Sequence, residues 1–270
     1  MFVSFLLALR EGLEAALIIG VLLGTLNKIN RLEFKKTVWL GTGIAILASG
    51  VGGLLLNRLG ASFEGRAEEI FEGINMLLAA VLLTWVILWM SKYSRGINEK
   101  LSSGVQQAVS DRSRLALFSL SFLAVIREGI ELAFFLAAVS LDAGGVEVLI
   151  GAGLGLAAVI GIAVLLFRSL IQLNMAHFFR ITSIILVFFA AGLVAHGVHE
   201  FNEAGLIPPM IDHLWDINHV LDEKSTLGGL FKTLFGYNGN PSLTEVISYI
   251  LYFFILVFTG STKNKKKELI

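Results

Sequence analysis

Two five-residue stretches carry the chemistry of this sequence. Arg10-Glu11-Gly12-Leu13-Glu14 and Arg127-Glu128-Gly129-Ile130-Glu131 are one pattern written twice, each copy inside a long apolar run. A charge at mid-membrane costs roughly 2.5–3.5 kcal/mol on an insertion scale, so three ionisable groups per segment need a functional reason. At about 100° per residue the arginine and both glutamates of one copy fall within a single face of a helix. The glycine lies on another face and lets a neighbouring helix come close. Pooled, four carboxylates and two guanidiniums carry a charge of about −2. Carboxylate oxygens are hard ligands suited to Mg, Ca and Mn and, with imidazole, to Fe. Glu11, Glu14, Glu128 and Glu131 are therefore the expected metal ligands, with Arg10 and Arg127 balancing their charge. The plain alternative is two buried Arg–Glu clamps that only lock helices together.

A second set of candidate ligands lies elsewhere. His196, His199, Glu200 and Glu203 are spaced i, i+3, i+4, i+7, on one face of a helix. Glu68, Glu69 and Glu72 share a face at the start of another helix, where acidic residues also suit the helix dipole. Together the two faces could make an acidic vestibule that concentrates cations. Asp212, His213, Asp216 and His219 fit one face of a short loop helix, with a solvated helix as the plainer reading. Pro208-Pro209 breaks the chain before it. His177 stands alone and reads as structural. Leu227–Phe235 reads as an apolar segment that lies in the membrane interface or plugs against the bundle.

The elements that position these residues follow from hydropathy. Of 270 residues, 56% are hydrophobic, and the mean hydropathy is +0.79. That is too apolar for a soluble domain of this size, and the apolar residues come in blocks. The expected fold is an all-α integral membrane protein with seven transmembrane helices, at about 2–24, 38–56, 70–90, 115–141, 146–167, 181–199 and 243–260. Gly41, Ala45, Ser49 and Gly53 form a small-residue stripe in the second, and Gly151, Gly155 and Gly161 notch the fifth. Trp85 and Trp89 suit an interfacial belt.

Basic residues gather after helices 1, 3, 5 and 7: Lys28, Arg31, Lys35 and Lys36; Lys92, Arg95, Lys100, Arg112 and Arg114; Arg168 and Arg180; and Lys263, Lys265, Lys266 and Lys267. The segments after helices 2, 4 and 6 are acidic or poor in Lys and Arg. The positive-inside rule then puts the N-terminus outside and the C-terminus in the cytoplasm. Helices 1–3 and 4–6 read as two inverted three-helix repeats with the seventh helix appended, which would bring both motifs to the midplane. One transmembrane domain spans 1–270: repeat A at about 1–90, repeat B at about 115–203, an outer loop at about 200–242, helix 7 at about 243–260 and a basic cytoplasmic tail at 261–270.

There are no cysteines, which excludes disulfides and thiolate metal sites. Net charge is zero and gives no sign of a nucleic-acid partner. No G-x-x-x-x-G-K-[ST] loop is present, which argues against ATP-driven transport by this chain alone. The first apolar segment lacks a basic leader region and reads as a retained helix.

At its doubled motif the chain resembles the high-affinity iron permease family, with its fungal and its bacterial EfeU-type members, whose hallmark is R-E-G-L-E. The first copy is intact, and the second has Ile130 in place of leucine. The Glu68–Glu72 stretch, the His196–Glu200 stretch and Phe235-Gly236-Tyr237 before Pro241 extend the resemblance over about residues 1–260. The resemblance implies iron uptake across the cytoplasmic membrane, with Glu11, Glu14, Glu128 and Glu131 handling iron and Arg10 and Arg127 beside them. Iron is then substrate, and no permanently bound cofactor is expected. The expected surroundings are the bilayer and iron itself, with room for a separate extracytoplasmic iron-binding or oxidase protein and for a homo-oligomer. The chain is expected not to be an enzyme. The rival readings are an integral-membrane di-metal oxidase, a permease for another metal such as lead or manganese, and a membrane scaffold or iron sensor.

Overall fold

The computed structural model describes residues 1–60, 63–93, 97–143, 145–167, 175–223 and 225–265. Arg95, Arg168, Lys266 and Lys267 lie outside the described residues. Within them the chain is helical and no strand occurs. The long helices are α1 (Phe2–Lys28), α2 (Lys35–Gly60), α3 (Arg66–Tyr93), α5 (Arg114–Ala143), α6 (Gly145–Phe167), α7 (Met175–Glu203) and α9 (Leu243–Lys265). Two short ones intervene, α4 (Ile97–Ser110) and α8 (Thr226–Phe235). Each expected helix overlaps a long one, usually with an extra turn at an end. The polar stretch between α3 and α5 also contains a helix, α4, which apolar runs alone do not reveal.

Among the described residues, four helices are long and apolar enough to cross a membrane: Leu32–Leu56, Arg66–Leu88, Gly145–Leu166 and His177–Glu203. α1 and α5 miss that description because each carries its motif's three charges. α9 adds a shorter apolar stretch, Leu243–Thr259. The helix ends are written locally. Asn30 and Arg112 take the left-handed conformation after α1 and α4, at φ 59° and 50°. The amides of Arg31 and Ser113 then reach back to the carbonyls of Leu26 and Ala108, each at 2.9 Å.

The chain divides into two compact units. The first comprises Met1–Asn57, Lys92–Ala137 and Gly145–Phe179. Its main core joins Leu22 and Leu26 of α1, Val38 and Ala45 of α2, Val105 and Val109 of α4, and Leu117 and Val125 of α5. α1 and α6 pack through small residues: a side chain at Gly151 would strike Ser4, one at Gly155 would strike Ala8, and Gly12 faces Val159. α2 and α5 pack in the same manner: Gly41 meets Ser121, Gly129 meets Ser49, and Gly53 meets Ala133. In both pairs the residue numbers rise together, so the helices run parallel. The contacts also match copy to copy. Ser4 and Ser121 lie 117 positions apart, as do the motif arginines. Both serines are fully buried, and each abuts a glycine.

The second unit comprises Arg58–Ser91, Ala138–Gly144 and Arg180–Ile270. In it α3 and α7 cross antiparallel. Gly73 lies against Phe201, and Gly197 lies against Leu77. These two contacts are also mates, since the same shift of 124 positions carries Gly73 to Gly197 and Leu77 to Phe201.

Candidate functional site

The motif residues meet inside the first unit. Arg10 of α1 is fully buried and pairs with both of its own glutamates: its Nη1 donates to Glu11, and its Nη2 lies 3.1 Å from Glu14 Oε1. On α5, Arg127 Nε donates to Glu131 Oε1 at 2.8 Å, one turn along the helix. Glu128 makes no ion pair among the described residues. Each set lies within electrostatic reach of the other: Arg10 interacts with Glu128 and Glu131, and Glu14 with Arg127 and Glu131.

The arrangement is not a simple pair of clamps. One oxygen each from Glu11, Glu128 and Glu131 lies within 4.8 Å of the others, and all three residues are buried. Oε2 of each is buried without a hydrogen-bond partner. Leaving a buried carboxylate oxygen unsatisfied is costly, more so than for a neutral acceptor. Three buried carboxylates this close, each with an unpartnered oxygen, make a charge-dense group that a multivalent cation would neutralise. Glu14 stands outside this group; its Oε1 is in ion-pair range of Arg10 but is likewise buried without a hydrogen-bond partner. The clamp and the ligand group therefore share residues rather than exclude one another. Spacing alone puts both glutamates of a copy on one helix face, whereas the fold sets Glu14 apart from the close trio.

In the second unit the residues expected to line a vestibule fall into separate environments, and among the described residues they form no three-ligand group of that compactness. Glu68 and Glu203 are exposed. Glu200 faces Glu72 and Glu69 across the α3–α7 crossing. His196 lines a cavity with Met76, Ala138, Val139, Phe189, Gly192, Leu193 and Lys232. His199 Nδ1 lies 3.0 Å from Glu245 Oε1.

Glu245 is the residue that sequence reasoning missed. It is buried at the start of α9, where the Ser242 amide donates to its carboxylate and its own amide donates to Ser242 Oγ, a capping box. Asn238 Nδ2 donates to its other oxygen at 2.8 Å. The Ser242-x-x-Glu245 spacing before an apolar run was the available signal. A carboxylate on Nδ1 leaves Nε2 as the ring nitrogen facing away from it, an arrangement common behind metal-binding histidines.

Asp212, His213, Asp216 and His219 do not form a helix; they are exposed in a chain of bends and turns. The segment instead pairs with the return limb: the Leu214 amide donates to Pro241 and the Ile217 amide to Gly239, each at 2.9 Å. Backbone pairing across the loop outweighs local helical spacing. His177 is exposed in the first turn of α7.

Comparison with known proteins gives a consistent picture. The iron permease FTR1 family matches residues 1–261. The chain is 38% identical over 255 residues to a ferrous iron permease, EfeU, of Escherichia coli strain 536, covering 93% of this chain and 92% of the relative. It is 36% identical over 254 residues to the ferrous iron permease EfeU of Yersinia pestis, covering 93% and 90%. No solved structure matches. A doubled Arg-Glu-Gly-x-Glu motif, an all-helical apolar fold and a match along nearly the whole chain lead to one assignment: this chain belongs to the FTR1 iron permease family.

Proposed function

We propose that the protein is a cell-membrane permease that carries iron inward, with the carboxylates of Glu11, Glu128 and Glu131 as its central ion site. The observation that carries this reading is the three mutually facing, buried carboxylates with unpartnered oxygens, drawn from two helices that each place a motif within an apolar segment. The relatives named as ferrous iron permeases favour Fe(II) over Fe(III) as the cargo. Arg10 and Arg127 offset part of the formal charge of the carboxylates, which outnumber them four to two. Glu14 keeps Arg10 in place and takes the ion only when that pair opens.

In this reading the seven long helices all cross the membrane, with the N-terminus outside and the C-terminus in the cytoplasm. The matched contacts support two inverted repeats: Ser4–Gly151 with Ser121–Gly41, and Gly73–Phe201 with Gly197–Leu77. Parallel pairing of α1 with α6 and of α2 with α5, and antiparallel pairing of α3 with α7, is the parity that seven alternating crossings require. Inverted repeats place cargo near the midplane. Glu69, Glu72, Glu200 and His199 then form the outer vestibule, where a cation is gathered by charge rather than held tightly; Glu68, Glu203 and His196 contribute at its edge. A di-metal oxidase is less favoured, because helix-bundle sites of that kind combine glutamates with histidines on the same helices, and none of the three central ligands is a histidine.

The test is radioactive iron uptake into proteoliposomes under ascorbate-reduced and ferric-chelate conditions, comparing the native chain with Glu128→Gln and Glu131→Gln. Uptake with reduced iron, lost in both variants while each remains inserted and monodisperse, is the expected result. Equal uptake by all three proteins would reduce the motifs to helix clamps.

A further inference from the structure

The segment between α7 and α9 holds an element that the permease reading does not use. α8 is a ten-residue helix with a Ser225 N-cap, whose side chain accepts from the Gly228 amide, and a left-handed Gly236 at its end. Its far end packs against α7. Gly236 packs on Gly192 of α7 so closely that a side chain on either would strike the other's backbone. Phe235 meets Phe188 edge to face with ring centroids 5.6 Å apart, and Phe188 also meets Phe253 of α9. Gly192 lies 11 residues before Glu203 in the apolar span His177–Glu203, about 16 Å from that end of α7 at 1.5 Å per residue. In a hydrocarbon core about 30 Å thick, that is close to the middle.

We propose that α8 is a re-entrant helix: it descends beside α7 from the end bearing Glu203 to mid-membrane, turns at Gly236, and returns through residues 237–242 to the start of α9, with its open face against lipid acyl chains.

Three observations converge on this. The first is polar accounting. Non-helical backbone at membrane depth persists only where protein satisfies it. In the return limb the amide of Tyr237 reaches Phe231, that of Asn240 its neighbour Asn238, and that of Ser242 Glu245. The amide of Gly239 reaches Glu223, and the carbonyls of Gly239 and Pro241 accept from Ile217 and Leu214. The second is the open face of α8. Leu227, Leu230, Phe231 and Phe235 are 62%, 39%, 43% and 38% exposed along one stripe, an apolar patch that water would penalise and lipid would not. The third is the cavity at His196, whose wall includes Gly192 of α7 and Lys232 of α8. A lysine in the last turn also suits the negative end of the helix.

The chain's lack of cysteine allows a direct test that involves no iron. Single Leu227→Cys, Phe231→Cys and Val220→Cys variants are spin-labelled in liposomes, and label relaxation by oxygen, which partitions into lipid, is compared with relaxation by a water-soluble nickel chelate. Val220 is a 76% exposed loop position that serves as the aqueous reference. The expected oxygen-to-nickel ratio at position 231 is about tenfold above that at 220, with 227 between them. A ratio at 231 equal to that at 220 would overturn the proposal by placing α8 in water. Shielding of 231 from both reagents would also overturn it, by covering the face with a partner protein or a second copy. Should the variant at 231 fail to insert, Leu230→Cys reads the same face one residue away. Because transport is not measured, either result leaves the permease reading standing.

Discussion

The two copies of the motif differ by one apolar residue in sequence and far more in setting. In α1 the guanidinium of Arg10 is fully buried and engages both of its glutamates; in α5 the side chain of Arg127 is 33% exposed and its Nε donates to Glu131. The glycines differ as well. Gly12 faces the branched Val159, whereas Gly129 faces the hydroxyl of Ser49. The helix pairs that carry the motifs make matched contacts, Ser4 on Gly151 and Ser121 on Gly41, while their charged contacts differ. Each copy of the motif carries the same three charges. Glu11 and Glu131 each pair with an arginine and also belong to the close trio, whereas Glu128 belongs to the trio alone and Glu14 to the arginine pair alone.

The strongest way to break the comparison is to neutralise one carboxylate from each role. Glu128→Gln removes a proposed ligand that makes no ion pair among the described residues, and iron uptake is expected to fall at least a hundredfold. Glu14→Gln removes a proposed anchor and should cost about tenfold, because the proposed trio survives. A tenfold change is 1.4 kcal/mol, so the two variants should differ by about that much in the energetics of uptake. Equal losses would mean that all four glutamates are equivalent.

The arginine comparison is read as thermal unfolding in detergent. Arg10→Met strands Glu11 and Glu14 in a buried site, and removing one partner of a buried pair typically costs about 3–5 kcal/mol. Arg127→Met strands one bonded glutamate beside a partly exposed position and should cost about 1–2 kcal/mol, nearer the surface-pair range. The reverse order would show that burial around the two arginines does not set their roles.

Much of this molecule was written plainly in its sequence. The seven long helices follow from apolar length, and the motif residues converge because their spacing puts them on one face of α1 and one face of α5. What spacing could not supply was inequality. Nothing in Arg10–Glu14 says that both glutamates turn to the arginine, since that depends on what α6 and α2 present to each copy. α4 was hidden because a surface helix on α1 needs only Val105, Ala108 and Val109 on one face, too few to stand out by hydropathy. The turn-rich region 212–219 misled in the opposite direction. Its i, i+1, i+4, i+7 pattern is helical, yet Leu214 and Ile217 give their amides to Pro241 and Gly239, partners more than twenty residues away that local spacing cannot foresee.

The motif glycines sharpen the comparison most directly. A methyl at Gly12 would lie 2.7 Å from Val159 Cγ2. Valine is stiff about χ1, so the helix axis must shift slightly, and Gly12→Ala should cost about 1–2 kcal/mol in the range for overpacking. A methyl at Gly129 would overlap both Oγ and Cβ of Ser49. Rotating the hydroxyl away forfeits its 2.8 Å bond to the Ala45 carbonyl and still leaves the Cβ clash, so Gly129→Ala should cost about 2–3 kcal/mol. Removing the obstacle with Ser49→Gly should recover most of that loss in the double variant, leaving the price of a glycine inside a helix, about 1 kcal/mol. A double-mutant cycle on unfolding midpoints measures the coupling. Strong coupling at 49/129 would place the closest approach of α2 and α5 at the motif itself. Additive effects would move that contact elsewhere on the helices and remove the reason for a glycine between the two glutamates of α5.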